Sequence, residues 1–240
     1  MLSKKKLLVV GCSFVRTSWP DLLPQDNYEV INLGSGGSGN RYIADATLNY
    51  LLNNTVDAVI VSWSGLTRLD KIVDCPDQFA DYFYRGDTGG QRYIASGGAQ
   101  PGSSWQQYNL ARLLFESDYK FLDRKQYGYL TLMEILKLQS FLKLNNITYY
   151  FTSYVNYWGT EDRVIKSTPD FHLRSIPELV TLINHIDFSK FLFVNNGEPK
   201  TLQDVAIELN NFDADGFHPG PEAKQKFVEM LLPVLSENIQ

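Results

Sequence analysis

Leu7-Leu8-Val9-Val10-Gly11-Cys12-Ser13 is the stretch on which the fold turns. A short unbroken aliphatic run that ends on glycine reads as a strand buried on both faces, as in a parallel sheet, followed by a tight turn. Lys4, Lys5 and Lys6 before it imitate the basic start of a secretory signal, with Cys12 as the cleavage-site residue of a lipoprotein. The apolar run is too short for that, since a signal core needs roughly 7–15 residues. We therefore expect a first strand here, with the three lysines as a solvated end.

Working outward, Glu29 to Asn32, Ala58 to Trp63 and Ile147 to Thr152 are further short apolar runs bounded by turn residues. Between the second and third strands, Ile43, Ala46 and Tyr50 recur at helical spacing and predict a helix over 40–52. Leu132, Ile135, Leu136, Leu138, Phe141 and Leu142 predict a long buried helix leading into the fourth strand. Gly220-Pro221-Glu222 is a good start for a last helix, because proline at the first helical position forfeits no hydrogen bond. Phe227, Met230, Leu231 and Val234 give that helix its buried face. Strand alternating with helix predicts an α/β class, a three-layer α/β/α sandwich about a mostly parallel sheet, with ligands beyond the carboxyl ends of the strands.

The rhythm breaks from about 67 to 127, which is rich in Gly, Ser, Tyr and Phe and reads as an insertion into one domain spanning 1–240. It could serve as a lid or as plain surface. Arg85-Gly86-Asp87 within it matches an adhesion tripeptide, but three residues are too few to carry a function. No internal repeat and no low-complexity tract is visible.

Composition bounds the function. At 240 residues one domain can bury a full core without a metal or disulfide staple. The formal charge of −5 arises from 27 acidic and 22 basic residues without a block of either sign, so nucleic acid is not an expected partner. No stretch approaches the ~20 apolar residues of a membrane span, so no membrane partner is expected either. Two cysteines, Cys12 and Cys75, make neither a disulfide framework nor a metal-binding spacing, and the expectation is a cytoplasmic protein with no metal and no cofactor. The sequence leaves the oligomeric state open.

Three turns fall where the sheet rule points. Ser13 follows the first strand, where a hydroxyl stands near the sheet edge, although serine is also a routine helix cap. Asp215-Gly216-Phe217-His218-Pro219 precedes the last helix; its carboxylate can fix the imidazole tautomer while the other ring nitrogen faces a nucleophile. His172 and His185 lack such an orienting acid and read as surface or core residues. Asn32 to Asn40 is glycine-rich and fits G-x-G-x-x-G at Gly34, Gly36 and Gly39. A dinucleotide site fits poorly, because the match follows the second strand and the best-placed acid, Asp57, precedes the third instead of ending it. Such a loop can instead aim backbone N–H groups at an oxyanion.

Together these blocks resemble the SGNH/GDSL hydrolase superfamily. Gly11-Cys12-Ser13 stands where that family has Gly-Asp-Ser, Asn32-x-Gly34-x-x-Gly37 is similar to its second block, and Asp215-x-x-His218-Pro219 to its last. The resemblance implies a flavodoxin-like SGNH fold and a serine esterase or acyl hydrolase. Ser13 would be nucleophile, His218 general base and Asp215 its orienter, with Ser13 and Gly37 as oxyanion donors through their N–H groups. The implied substrate is a small-molecule or carbohydrate ester; Trp105, Tyr108, Tyr157 and Trp158 would suit stacking on the sugar of an O-acetylated carbohydrate.

The third block departs from the family. Trp63-Ser64-Gly65-Leu66-Thr67-Arg68 puts Leu66 where the family has an asparagine whose amide donates to the oxyanion. Losing one such donor costs on the order of 10²–10³ in turnover. Ser64, Thr67 and Asn40 are candidate replacements, Asn40 the preferred one among them, with a helix cap as its equally open alternative role. Ser64, Thr67 and Arg68 are also candidate substrate contacts, with an ion pair to the insertion as the competing role for Arg68. The departure favours a second reading, a domain that keeps the fold while its catalysis has lapsed and that binds a ligand or partner.

Overall fold

The computed structural model describes residues 3–16, 18–73, 92–95, 115, 117–118, 120–159, 172–195 and 198–239. In chain order the elements are β1 (Lys5–Val10), α1 (Ser13–Arg16), β2 (Tyr28–Asn32), α2 (Asn40–Asn53), β3 (Ala58–Trp63), β4 (Asp70–Val73) and β5 (Arg92–Ala95). They continue with α3 (Arg124–Leu144), β6 (Tyr149–Ser153), α4 (Val180–Ile183), β7 (Val194–Asn195), β8 (Glu198–Pro199), α5 (Leu202–Leu209) and α6 (Pro221–Asn238).

The expected α/β architecture is present. The central sheet has the order β2-β1-β3-β6, and every pair in it is parallel. Leu7 to Val10 and all of β3 and β6 are buried, which is why these strands read as continuous apolar runs rather than as alternating ones. Beyond β6, Phe191 forms a single parallel bridge with Phe151 and extends the sheet by one position. Helices cover both faces: α2 packs with α3, and α6 packs with α5 and with the 3-10 turn Trp19–Leu22.

The strand order places a topological switch between β1 and β3, because the chain leaves β1 towards β2 on one side and returns to β3 on the other. Crevices at such points, beyond the strand ends, are where open α/β sheets bind ligands. Ser13 sits at the carboxyl end of β1, beside that switch.

Part of the expected insertion is described. β4 and β5 form an antiparallel pair, and Tyr93 on β5 is buried edge-on against Tyr42 of α2, 5.5 Å between ring centres, while its hydroxyl donates to Asp45 Oδ2 at 2.8 Å. This ribbon is fastened to α2. Arg85-Gly86-Asp87, Cys75, Trp105 and Tyr108 lie outside the described residues. No described helix is long and apolar enough to cross a membrane.

Candidate active site

The chain around Ser13 is held by backbone geometry that small residues permit. A Cβ on Gly34 would stand 2.6 Å from the Arg16 nitrogen and 2.9 Å from the Val15 carbonyl carbon, so only glycine lets the second turn lie against α1. Asn32 stitches the same two turns together: its amide donates to the carbonyls of Val15 (3.0 Å) and Arg16 (3.4 Å), and its Oδ1 accepts from Gly34 N–H. The Gly11 carbonyl accepts from Ser35 N–H and from the Ser38 hydroxyl. Ser38 N–H closes a turn onto the Ser35 carbonyl, and its third residue, Gly37, has φ 74°, the left-handed region that glycine enters without strain.

The loop before α6 is equally constrained. Asp213 N–H donates to the His218 carbonyl, Gly216 N–H to the Asp213 carbonyl, and Gly220 N–H to the Asn211 carbonyl. Asn211 Oδ1 accepts from Ala223 N–H and so caps α6 in place of Gly220, whose Cβ would lie 2.4 Å from that same oxygen. Within this loop Asp215 Oδ1 accepts from the N–H groups of Phe217 and His218, both at 2.9 Å. Its Oδ2 lies 2.5 Å from His218 Nδ1, and His218 Nε2 lies 2.9 Å from Ser13 Oγ. The structure thus brings Ser13, His218 and Asp215 into one hydrogen-bonded line across 205 residues of sequence.

Partial desolvation pushes the Asp215 carboxyl up, but hydrogen bonds from the His218 ring and from two backbone N–H groups outweigh it and hold the acid down at about 2. Asp215 is therefore ionised at any ordinary pH and sets His218 with its proton on Nδ1, leaving Nε2 able to accept from the serine hydroxyl. Phe14 and Phe217 flank the ring, centred 5.0 Å and 5.3 Å from the imidazole, and Tyr154 backs Phe14 at 4.9 Å. The N–H groups of Ser13 and Gly37 donate to no acceptor among the described residues.

Asn40 departs from both expectations for it. It is the first residue inside α2 rather than its cap, and its buried amide nitrogen donates to the Ser64 carbonyl (3.3 Å) and to Thr131 Oγ1 (3.0 Å), while its Oδ1 accepts from Ser64 N–H (2.7 Å). Both amide hydrogens are engaged, so Asn40 has none left for an oxyanion. Ser64 is fully buried and also engaged, its hydroxyl accepting from Arg68 Nη1 at 3.1 Å. Arg68 lies over the Tyr154 ring, 5.0 Å from its centre. Thr67 is half-buried in the turn closed by Arg68 N–H on the Gly65 carbonyl, and Leu66 is part of the core.

Asp70, which the sequence reading passed over, caps α2. Its carboxylate accepts from Gly39 N–H (2.8 Å) and Tyr42 N–H (2.9 Å). A phosphate would need those donors, so the glycine-rich turn offers no dinucleotide cradle. Burial pushes the Asp70 carboxyl up to about 7 against the downward pull of these two bonds and of Arg41. Tyr157 and Trp158 are fully buried, Trp158 packing on Phe188 and Phe191, so neither is placed to stack on a sugar. His172 is buried, in keeping with a core role. Among the described residues no cluster of His, Cys, Asp and Glu suits a metal ion.

Sequence reasoning also missed the residues of a cavity of about 360 Å³ beside Ser13 and His218, lined by Phe14, Arg16, Ser18, Gly36 and Lys224 among others. The available signal was spacing, since Arg16 follows Ser13 by three residues and shares its helical turn.

No protein-family profile and no curated protein matches the sequence. Several solved structures are similar in shape. They include an acetylxylan esterase from Geobacillus stearothermophilus (13% identity, 97% of this chain and 94% of that one, TM-score 0.49). A member of the lipolytic G-D-S-L family from Veillonella parvula is 10% identical over 96% of this chain and 98% of that one, with TM-score 0.47. A GDSL-like lipase from Bacteroides thetaiotaomicron is 13% identical over 97% and 88%, with TM-score 0.46.

Proposed function

We propose that the protein is a serine ester hydrolase in which Ser13, His218 and Asp215 form the catalytic line. The observation that carries this reading is the imidazole of His218, set by Asp215 at 2.5 Å on one nitrogen and facing Ser13 Oγ at 2.9 Å on the other. A merely capping serine would have no reason to meet an oriented histidine from the far end of the chain. Ser13 Oγ attacks the ester carbonyl as Nε2 takes its proton, and the N–H groups of Ser13 and Gly37 receive the developing oxyanion. The protonated ring then gives its proton to the departing alcohol. Water, deprotonated by the same ring, releases the acid and restores Ser13.

Two backbone donors remain, since both Asn40 amide hydrogens are used within the fold and Ser64 is fully buried, which supports a modest turnover rather than a lapsed site. An O-acetylated carbohydrate stays within the scope of this reading, without aromatic stacking by Tyr157 or Trp158 as its support. The test is hydrolysis of p-nitrophenyl acetate and butyrate by the parent, Ser13→Ala and His218→Ala proteins. Activity in the parent that falls at least about 10³-fold in both variants supports the assignment. No activity in the parent, or equal activity in all three, favours the second reading, a binding module that keeps the fold.

A further inference from the structure

The cavity beside Ser13 has a chemical character of its own. Lys224 Nζ meets Asp213 Oδ2 at 2.9 Å, so these two charges offset each other. Arg16 is exposed and pairs with no acid among the described residues, which leaves one positive charge facing the space. Its Nη1 lies 3.6 Å from where a Gly36 Cβ would stand, an ordinary contact that places the guanidinium beside the glycine-rich turn. Ser18 also lines the cavity, but its hydroxyl oxygen is fully enclosed and presents no donor to the space, which leaves Arg16 as the group that gives it its charge.

We propose that this cavity is a subsite for an anionic group carried by the ester, a carboxylate or a phosphate, with Arg16 as the specificity-determining residue. The inference rests on the hydrolase reading for its substrate but not for its binding site. A guanidinium presents a planar fork of donors that matches two oxygens of either group at once. A volume of about 360 Å³ lies at the small end of ligand sites, so it suits a short acidic substituent rather than a long acyl chain. Phe14 and Pro219 in the wall suit the few methylenes between that group and the ester.

The experiment pairs each anionic ester with a neutral one of similar size. On the acyl side these are p-nitrophenyl hemiglutarate and p-nitrophenyl valerate; on the alcohol side, 4-acetoxybenzoate and phenyl acetate. The parent should favour the anionic member of at least one pair in kcat/KM. Arg16→Gln should lower that member about tenfold more than its neutral counterpart, the size expected for one charge-assisted contact. In parallel, Ser13→Ala protein, with and without Arg16→Gln, is titrated calorimetrically with monomethyl glutarate and with methyl phosphate. Weaker binding with Arg16→Gln supports the subsite even if no ester is turned over, in which case the hydrolase reading falls alone. Turnover with no preference in either pair, or with Arg16→Gln lowering both members alike, overturns the subsite and leaves the hydrolase standing. Neither turnover nor Arg16-dependent binding overturns both.

Discussion

The turns that follow β1 and β3 end neighbouring parallel strands, yet they dispose of their polar groups in opposite ways. After β1, the Ser13 hydroxyl meets only a histidine delivered from the far end of the chain, and its N–H donates to nothing described. After β3, the N–H and carbonyl of Ser64 are held by Asn40, its hydroxyl by Arg68, and Leu66 is sealed into the core. Two chemically similar stretches therefore divide into a turn whose donors stay open and one whose polar groups the fold uses up. What separates them is whether their donors and acceptors are already engaged by the fold, a property that residue type alone does not reveal.

The comparison can be tested at each end, beginning with the largest effect. Asp215→Asn keeps the loop but no longer holds the proton on His218 Nδ1, so kcat on p-nitrophenyl acetate should fall about 10⁴-fold with little change in Tm. A drop of only a few fold would mean that turnover does not depend on an oriented ring beside Ser13.

Asp70, at the other end of the β3 turn, predicts a pH signature. Its carboxyl titrates at about 7 in the folded protein against 3.8 as a free side chain, so the folded state holds the extra proton between those values. The stability it contributes is complete below about pH 4 and is lost as pH rises through 7, a span of roughly 4 kcal/mol at most. Urea unfolding of the parent and of Asp70→Asn at pH 4.5 and 8 should show the parent losing ground to the variant at the higher pH. A difference that does not vary with pH would contradict the buried cap.

Asn40→Ala separates structural from catalytic roles directly. It strands the Ser64 N–H and carbonyl in the interior and should cost about 2–3 kcal/mol of stability. Turnover per folded molecule, measured well below Tm, should change far less than the ~10² expected for a lost oxyanion donor. The smallest effect belongs to Gly216, at φ 68° with open space where a Cβ would stand. Gly216→Ala should cost only about 1 kcal/mol, the strain of the left-handed backbone, read as a shift in the urea midpoint.

Much of this was legible in the sequence because it is local. The apolar runs gave the parallel strands, and an acid three residues before a histidine in a glycine turn gave the pair that meets Ser13. Asn40 and Asp70 were misread or missed because their partners, Ser64 and Thr131 for one and Gly39 and Tyr42 for the other, lie 24 or more residues away. Arg16 carries no motif; it stands out only once the acids that could have engaged it are seen to be elsewhere.

The central claim is that Ser13 is the nucleophile. A fluorophosphonate probe followed by peptide mass spectrometry tests it directly. The account predicts one adduct, on Ser13, that disappears in Ser13→Ala and is strongly reduced in His218→Ala. No adduct, an adduct on another serine, or labelling that persists without His218 would contradict it.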